Sequence, residues 1–184
     1  MPPLNFLIKP ASGSCNIRCR YCFYHDIGEN REVASFGRMS DETLELLTRK
    51  ALEAAEGSCT FGFQGGEPTL AGLDFFRKAV AFQKQYNRKG LRVSNSIQTN
   101  GLAIGGEWAE FLAENHFLVG LSLDGTKEIH DGNRVDPLGK GTFNRVLKTA
   151  QLLAAKKVEF NILTVVTRQS TRYIDRIYGF FRRS

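Results

Sequence analysis

Three cysteines crowd into eight residues, as Cys15, Cys19 and Cys22. Thiolates spaced C-x3-C-x2-C can hold either a zinc ion or an iron–sulfur cluster, and soft sulfur donors alone do not choose between the two. A structural zinc site wants a fourth protein ligand, for which His25 is the nearest candidate, whereas a four-iron cluster can leave one iron open to a small molecule. Spacing leaves both open. Disulfides suit the crowding poorly, since such near neighbours make bad partners in a reducing compartment. The fourth cysteine, Cys59, stands alone at the head of an apolar run and reads as a small buried hydrophobe.

The elements that must position these thiols alternate between strand and helix patterns. Phe6-Leu7-Ile8 is a short apolar run ended by Pro10, and the cysteine loop follows to about Met39. Ser40 can cap a helix whose first turn carries Asp41 and Glu42, with Leu44, Leu47, Ala51 and Ala55 on one face. A buried strand over 60–63 precedes a helix marked by Phe76, Ala79, Val80 and Gln83. Strands over 93–97, 117–123 and 158–166 alternate with helices marked by Trp108, Phe111 and Leu112, then by Phe143, Val146, Leu147, Ala150, Leu153 and Ala154, then by Ile174, Ile177, Tyr178 and Phe181. Five such units in succession predict an α/β fold with a parallel sheet, doubly wound or curved into a partial (β/α) barrel. Function then belongs after the strands, where the loops read Cys15 to Cys22, Gln64-Gly65-Gly66-Glu67-Pro68, Gln98-Thr99-Asn100-Gly101 and Ser122-Leu123-Asp124-Gly125.

With 42% hydrophobic and 24% charged residues, the 184-residue chain can bury a core and reads as one unit over 1–184. The net charge of +6 is spread from Lys9 to Arg183 among acids, which points to a solvated surface and not to nucleic acid. No run is long and apolar enough to span a membrane, and the N-terminus lacks the pattern of a signal peptide, so a soluble cytoplasmic protein without a membrane partner is expected. His116 and His130 have no second ligand at metal spacing.

The stretch Cys15-Asn16-Ile17-Arg18-Cys19-Arg20-Tyr21-Cys22, with an aromatic residue before the third cysteine, resembles the signature of radical S-adenosylmethionine enzymes. Gly65-Gly66-Glu67-Pro68 resembles the glycine-rich element that holds the cofactor's amino group in that family. Ile8-Lys9-Pro10, Cys22-Phe23-Tyr24-His25, Phe63 to Leu70, Gln98 to Gly101, Gly120 to Gly125 and Asn161 to Thr167 are similar to anaerobic sulfatase-maturating enzymes. The resemblance implies a partial radical S-adenosylmethionine barrel with a [4Fe-4S] cluster on Cys15, Cys19 and Cys22 whose open iron is chelated by S-adenosylmethionine. It places Tyr21, Gly66, Ser122 and Arg134 around that cofactor, while Tyr24, Gln64, Gln98, Asn100 and Asp124 are expected to face a peptide because polar groups at strand ends can hydrogen-bond an extended backbone. Without the motif, Ser122 would read as a strand-end residue and Arg134 as a surface ion pair.

The implied reaction is oxidation of a cysteine or serine of an unfolded or nascent sulfatase polypeptide to formylglycine, with a ferredoxin or flavodoxin as electron donor. Family members run to about twice this length, with a sixth barrel unit, a cysteine-rich auxiliary-cluster domain and a general-base carboxylate, all expected beyond residue 184. No catalytic residue is therefore expected within this chain, and cleavage of cofactor without peptide turnover is the expectation for it. Two other readings compete. One is another peptide-modifying radical enzyme, against which the Tyr24-His25 stretch and the Gln98 loop argue. The other is a zinc-binding interaction module.

Overall fold

In the computed structural model, residues 2–24, 30, 32–33 and 35–183 are described. His25, the candidate fourth zinc ligand, lies outside them. Strands β1 (Leu4–Ile8), β3 (Ser58–Phe63), β4 (Arg92–Thr99), β5 (Leu118–Ser122) and β7 (Phe160–Leu163) form one sheet, every neighbouring pair parallel, in the spatial order β1-β3-β4-β5-β7. That order never reverses along the chain. A doubly wound sheet reverses at a switch point, so the monotonic order settles the choice for the partial barrel.

Helices α1 (Asp41–Ala54), α2 (Leu73–Tyr86), α3 (Gly106–Glu114) and α5 (Phe143–Ala155) connect the strands. Ser40 caps α1 as its sequence predicts, accepting from the Thr43 backbone N–H at 3.2 Å. Between sheet and helices, Phe61, Phe63, Ile97, Val119 and Leu121 meet Leu44, Leu52, Phe76, Leu112 and Leu153 in one core. Phe76 is its aromatic centre, 5.0 Å from the Phe63 ring and 5.1 Å from Trp108. Cys59 is fully buried there, as its lone position suggested. The other sheet face is a hollow lined by small and polar groups, among them Gly62, Gln64, Ser96, Gln98, Gly120 and Asn161.

Two elements escape the hydrophobic periodicity. A two-stranded antiparallel ribbon joins β2 (Arg18–Cys19) to β6 (Arg134–Val135), with Cys19 opposite Arg134. It is too short to show an alternation. Helix α4 (Lys127–Asn133) has no apolar stripe and carries Gly132. The fifth sheet strand is shorter than the expected 158–166, because the Val165 N–H turns to the Asp124 carboxylate at 3.1 Å instead of joining a ladder. On α6 (Ile174–Phe181) the expected stripe is only partly used: Ile177 is buried, but Ile174 and Tyr178 are exposed. Among the described residues no helix is long and apolar enough to cross a membrane.

Candidate functional site

The loops after the strands converge on a cleft of about 400 Å³, and Cys15, Cys19 and Cys22 all line it as half-buried free thiols. Tyr21, Tyr24, Gln64, Gly66, Gln98, Asn100, Ser122 and Arg134 line the same cleft. Eleven of the twelve side chains or backbones singled out in the sequence thus share one mouth, although β2 and β6 lie 115 residues apart at Cys19 and Arg134.

The twelfth, Asp124, corrects the expectation that it faces a peptide. It is fully buried behind the wall of the cleft, with one carboxylate oxygen taking the Arg134 Nε–H at 2.9 Å and the other taking Nη2–H at 3.2 Å. The Tyr21 hydroxyl donates to the same carboxylate, and the Arg134 guanidinium lies 5.4 Å from the Tyr21 ring centre. An unpaired buried guanidinium would be costly, so Arg134 takes the carboxylate that polarity alone assigned to substrate. Its remaining Nη1 stands 3.7 Å from Cys19 Sγ. Burial works against the Arg134 charge, but Asp124 more than offsets it and raises the pKa further. Burial pushes the Cys19 thiol up to about 11, with Arg134 pulling the other way, and it raises Cys15 as well. Burial also raises the Tyr21 phenol.

Asn100 is a second partial correction. Its amide lines the cleft, but its Nδ2 donates to Asn16 Oδ1 at 2.8 Å and its Oδ1 accepts the Leu102 N–H at 3.0 Å. The side chain is spent on holding the cysteine loop. Gln98 is better placed for a ligand. Its Nε2 donates to Ser122 Oγ at 3.0 Å, and its Oε1 lies only 2.2 Å from where a Cβ on Gly120 would stand, so glycine there lets the amide lie flat across β5. At the rim, Lys9 Nζ sits 5.2 Å over the Tyr24 ring, which Phe23 stacks against at 4.3 Å.

Gly66 has φ +54°, and a Cβ there would meet the Ser14 carbonyl oxygen at 2.2 Å. Its missing side chain lets the glycine loop press on the backbone leading into Cys15. The neighbouring Glu67 was absent from the sequence-derived site, yet it ties the mouth together. Its Oε1 accepts from Thr69 N–H at 3.1 Å, Thr69 Oγ1 at 2.6 Å and Thr99 Oγ1 at 2.7 Å, while Oε2 accepts from Asn100 N–H at 2.8 Å. The Glu67 N–H donates to Ser14 O at 2.7 Å. Burial pushes this carboxyl up from its ordinary value, against the pull of those donors. The signal for it was local: a carboxylate followed by Pro68 and Thr69 is a capping pattern, and Glu67 caps the turn Pro68–Ala71.

The donor set fits an iron–sulfur cluster. The three thiols border one cleft of about 400 Å³, and three thiolates can hold three irons of a four-iron cluster while the fourth stays open to a small molecule.

Residues 10–181 match the family model described as the Radical SAM superfamily. The chain belongs to that superfamily. It is 54% identical over 182 residues to a cysteine-type anaerobic sulfatase-maturating enzyme of Clostridium perfringens, covering 99% of this chain and 49% of that protein. A serine-type anaerobic sulfatase-maturating enzyme of Klebsiella aerogenes is 37% identical over 179 residues, covering 96% of this chain and 43% of that one. The solved structure of native anSMEcpe with bound AdoMet and Cp18Cys peptide superposes with a TM-score of 0.93 at 52% identity, covering 99% of this chain and 48% of that chain. This chain therefore spans about half the length of the relatives it matches.

Two outcomes follow from this geometry. Glu67→Gln can keep a carbonyl oxygen at the Oε1 position but then turns an NH2 group toward the Asn100 N–H, which loses its acceptor, so it should cost about 1–3 kcal/mol in urea unfolding and loosen the cysteine loop. An unchanged midpoint would show that the loops do not depend on the carboxylate. His130, fully buried, has its pKa pushed down to about 4, chiefly by burial and then by Arg134. Below about pH 6.5 the unfolded chain binds a proton that the folded chain refuses, so this group's stabilisation, present above pH 6.5, is lost as pH falls toward 4, by about 3 kcal/mol. Urea titrations across that range should show the loss in the native chain and a shallower slope in His130→Asn.

Proposed function

We propose that this chain provides the cluster-binding and S-adenosylmethionine-binding part of an enzyme that oxidises a cysteine of a sulfatase polypeptide to formylglycine. The observation that carries this reading is the single cleft shared by three free thiols, Arg134 and the Gln64 and Gln98 amides. Higher identity to the cysteine-type relatives than to the serine-type ones favours cysteine as the target.

Cys15, Cys19 and Cys22 would hold a [4Fe-4S] cluster through deprotonated sulfur, so loading iron onto thiols with raised pKa values releases protons. When bound, the cluster and S-adenosylmethionine supply one-electron chemistry that ends in abstraction of a hydrogen atom. The protein's part is to bind, orient and shield. Tyr21, Gly66, Ser122 and Arg134 would surround the cofactor: Gly66 by permitting close backbone approach, Ser122 by its hydroxyl and Arg134 by a charge that cannot be lost. Tyr24, Gln64 and Gln98 would meet the peptide, since amides at strand ends can pair with an extended backbone in a partly apolar mouth. A small ferredoxin or flavodoxin would donate the electron. Four free cysteines suit the reducing cytoplasm.

The test uses the iron-loaded chain under anaerobic conditions, with dithionite, S-adenosylmethionine and a sulfatase-derived peptide deuterated on the β-carbon of its target cysteine. Mass spectrometry should find 5'-deoxyadenosine carrying deuterium. 5'-Deoxyadenosine without deuterium would contradict the peptide target, and the absence of cofactor cleavage would contradict the cofactor chemistry itself.

A further inference from the structure

Behind the cleft, two side chains that line no part of it complete a closed hydrogen-bond circuit. The Asp124 backbone N–H can only donate, and it lies 3.2 Å from His130 Nδ1, which must therefore accept. The neutral ring then carries its proton on Nε2 and donates to Thr142 Oγ1 at 2.9 Å. Thr142 in turn gives its own proton to the Arg134 carbonyl at 3.1 Å. The Arg134 side chain returns to the Asp124 carboxylate, which closes the ring. His130 and Thr142 are both fully buried, so water offers no alternative partner.

We propose that His130 and Thr142 are positioning residues that fix the Arg134 guanidinium against Cys19 and toward the cleft. Arg134 is held at its carbonyl by Thr142, at Nε and Nη2 by Asp124, and in its strand by pairing with Cys19. Only Nη1 is left, and it points to Cys19 Sγ. Packing alone does not account for this choice of residues. A buried polar ring around an ion pair is no more stable than apolar groups of the same shape, so its distinctive product is orientation. An N–H held beside a ligand sulfur also favours the more negative, reduced state of a bound cluster.

The proposal rests on the reading of Arg134 as a cofactor-side residue, and its first test needs no cofactor. In uniformly 15N-labelled metal-free protein, exchange of the Arg134 Nε–H with solvent is compared with exchange of the core backbone amides of Phe61 and Leu121. Thr142→Val keeps the shape and removes both hydrogen bonds. It should speed the Nε–H exchange by about tenfold while leaving the core amides alone, and Thr142→Ser should restore the native rate. In iron-loaded protein the valine variant should bind S-adenosylmethionine about threefold to tenfold more weakly, again with rescue by serine. Should the valine variant fail to fold, His130→Asn retains an acceptor for Asp124 while losing the donor to Thr142, and it should give the same pattern. A parallel rise at all sites, an unchanged Nε–H rate or unchanged cofactor affinity would overturn the proposal. A native protein that takes up no cluster would instead contradict the function proposed above, and the metal-free exchange rates would still be readable.

Discussion

The carboxylate of Glu67, sealed from water, accepts hydrogen bonds from the turn that follows it and from the loop after β4. A parallel sheet delivers its loops to one end but does not hold them to one another, since each hangs from its own strand. Glu67 supplies that link, and its N–H together with the bare Gly66 carries the link on to Ser14 at the start of the cysteine loop. Asn100 closes the triangle through Asn16. Three loops distant in sequence are thus tied to one another, and the thiols inherit their positions from those ties. A buried acceptor is costly to leave unmatched, which makes this arrangement hard to slip.

On the far side of the cleft a second rigid group, Tyr21-Asp124-Arg134, performs the same service for Cys19. The two groups differ in composition. The Glu67 group is built round a carboxyl that accepts four hydrogen bonds, and the Arg134 group round an ion pair with Asp124 whose Nη1 stands beside Cys19. The concave sheet face beyond them is lined by Gly62, Ser96 and Gly120.

Much of this could be read from the residues alone. All five sheet strands were legible from their core-facing residues, which alternate with small and polar groups because the other sheet face lines the hollow. The Cys15 to Cys22 spacing and the glycine loop fixed the mouth for the same reason: their chemistry is local in sequence. The misreadings share a cause too. Asp124 and Asn100 are polar residues at strand ends, and nothing local says that each will be consumed by a partner in a distant loop. His130 and Thr142 were passed over because their worth lies in contacts across the fold, and of the contacts of Glu67 only its cap on the turn that follows was local. The β2–β6 ribbon, only two residues per strand, offered no pattern to find.

The proposed function requires the three thiols to act as ligands of one cluster. Anaerobic loading with iron and sulfide, followed by metal analysis and absorption spectroscopy with and without S-adenosylmethionine, measures that directly. The predicted result is a brown protein with about four irons per chain, a spectrum that changes when S-adenosylmethionine is added, loss of colour when Cys15, Cys19 or Cys22 becomes alanine, and no loss in Cys59→Ala. A colourless protein that takes up one zinc ion, or a cluster that survives in all three alanine variants, would contradict it.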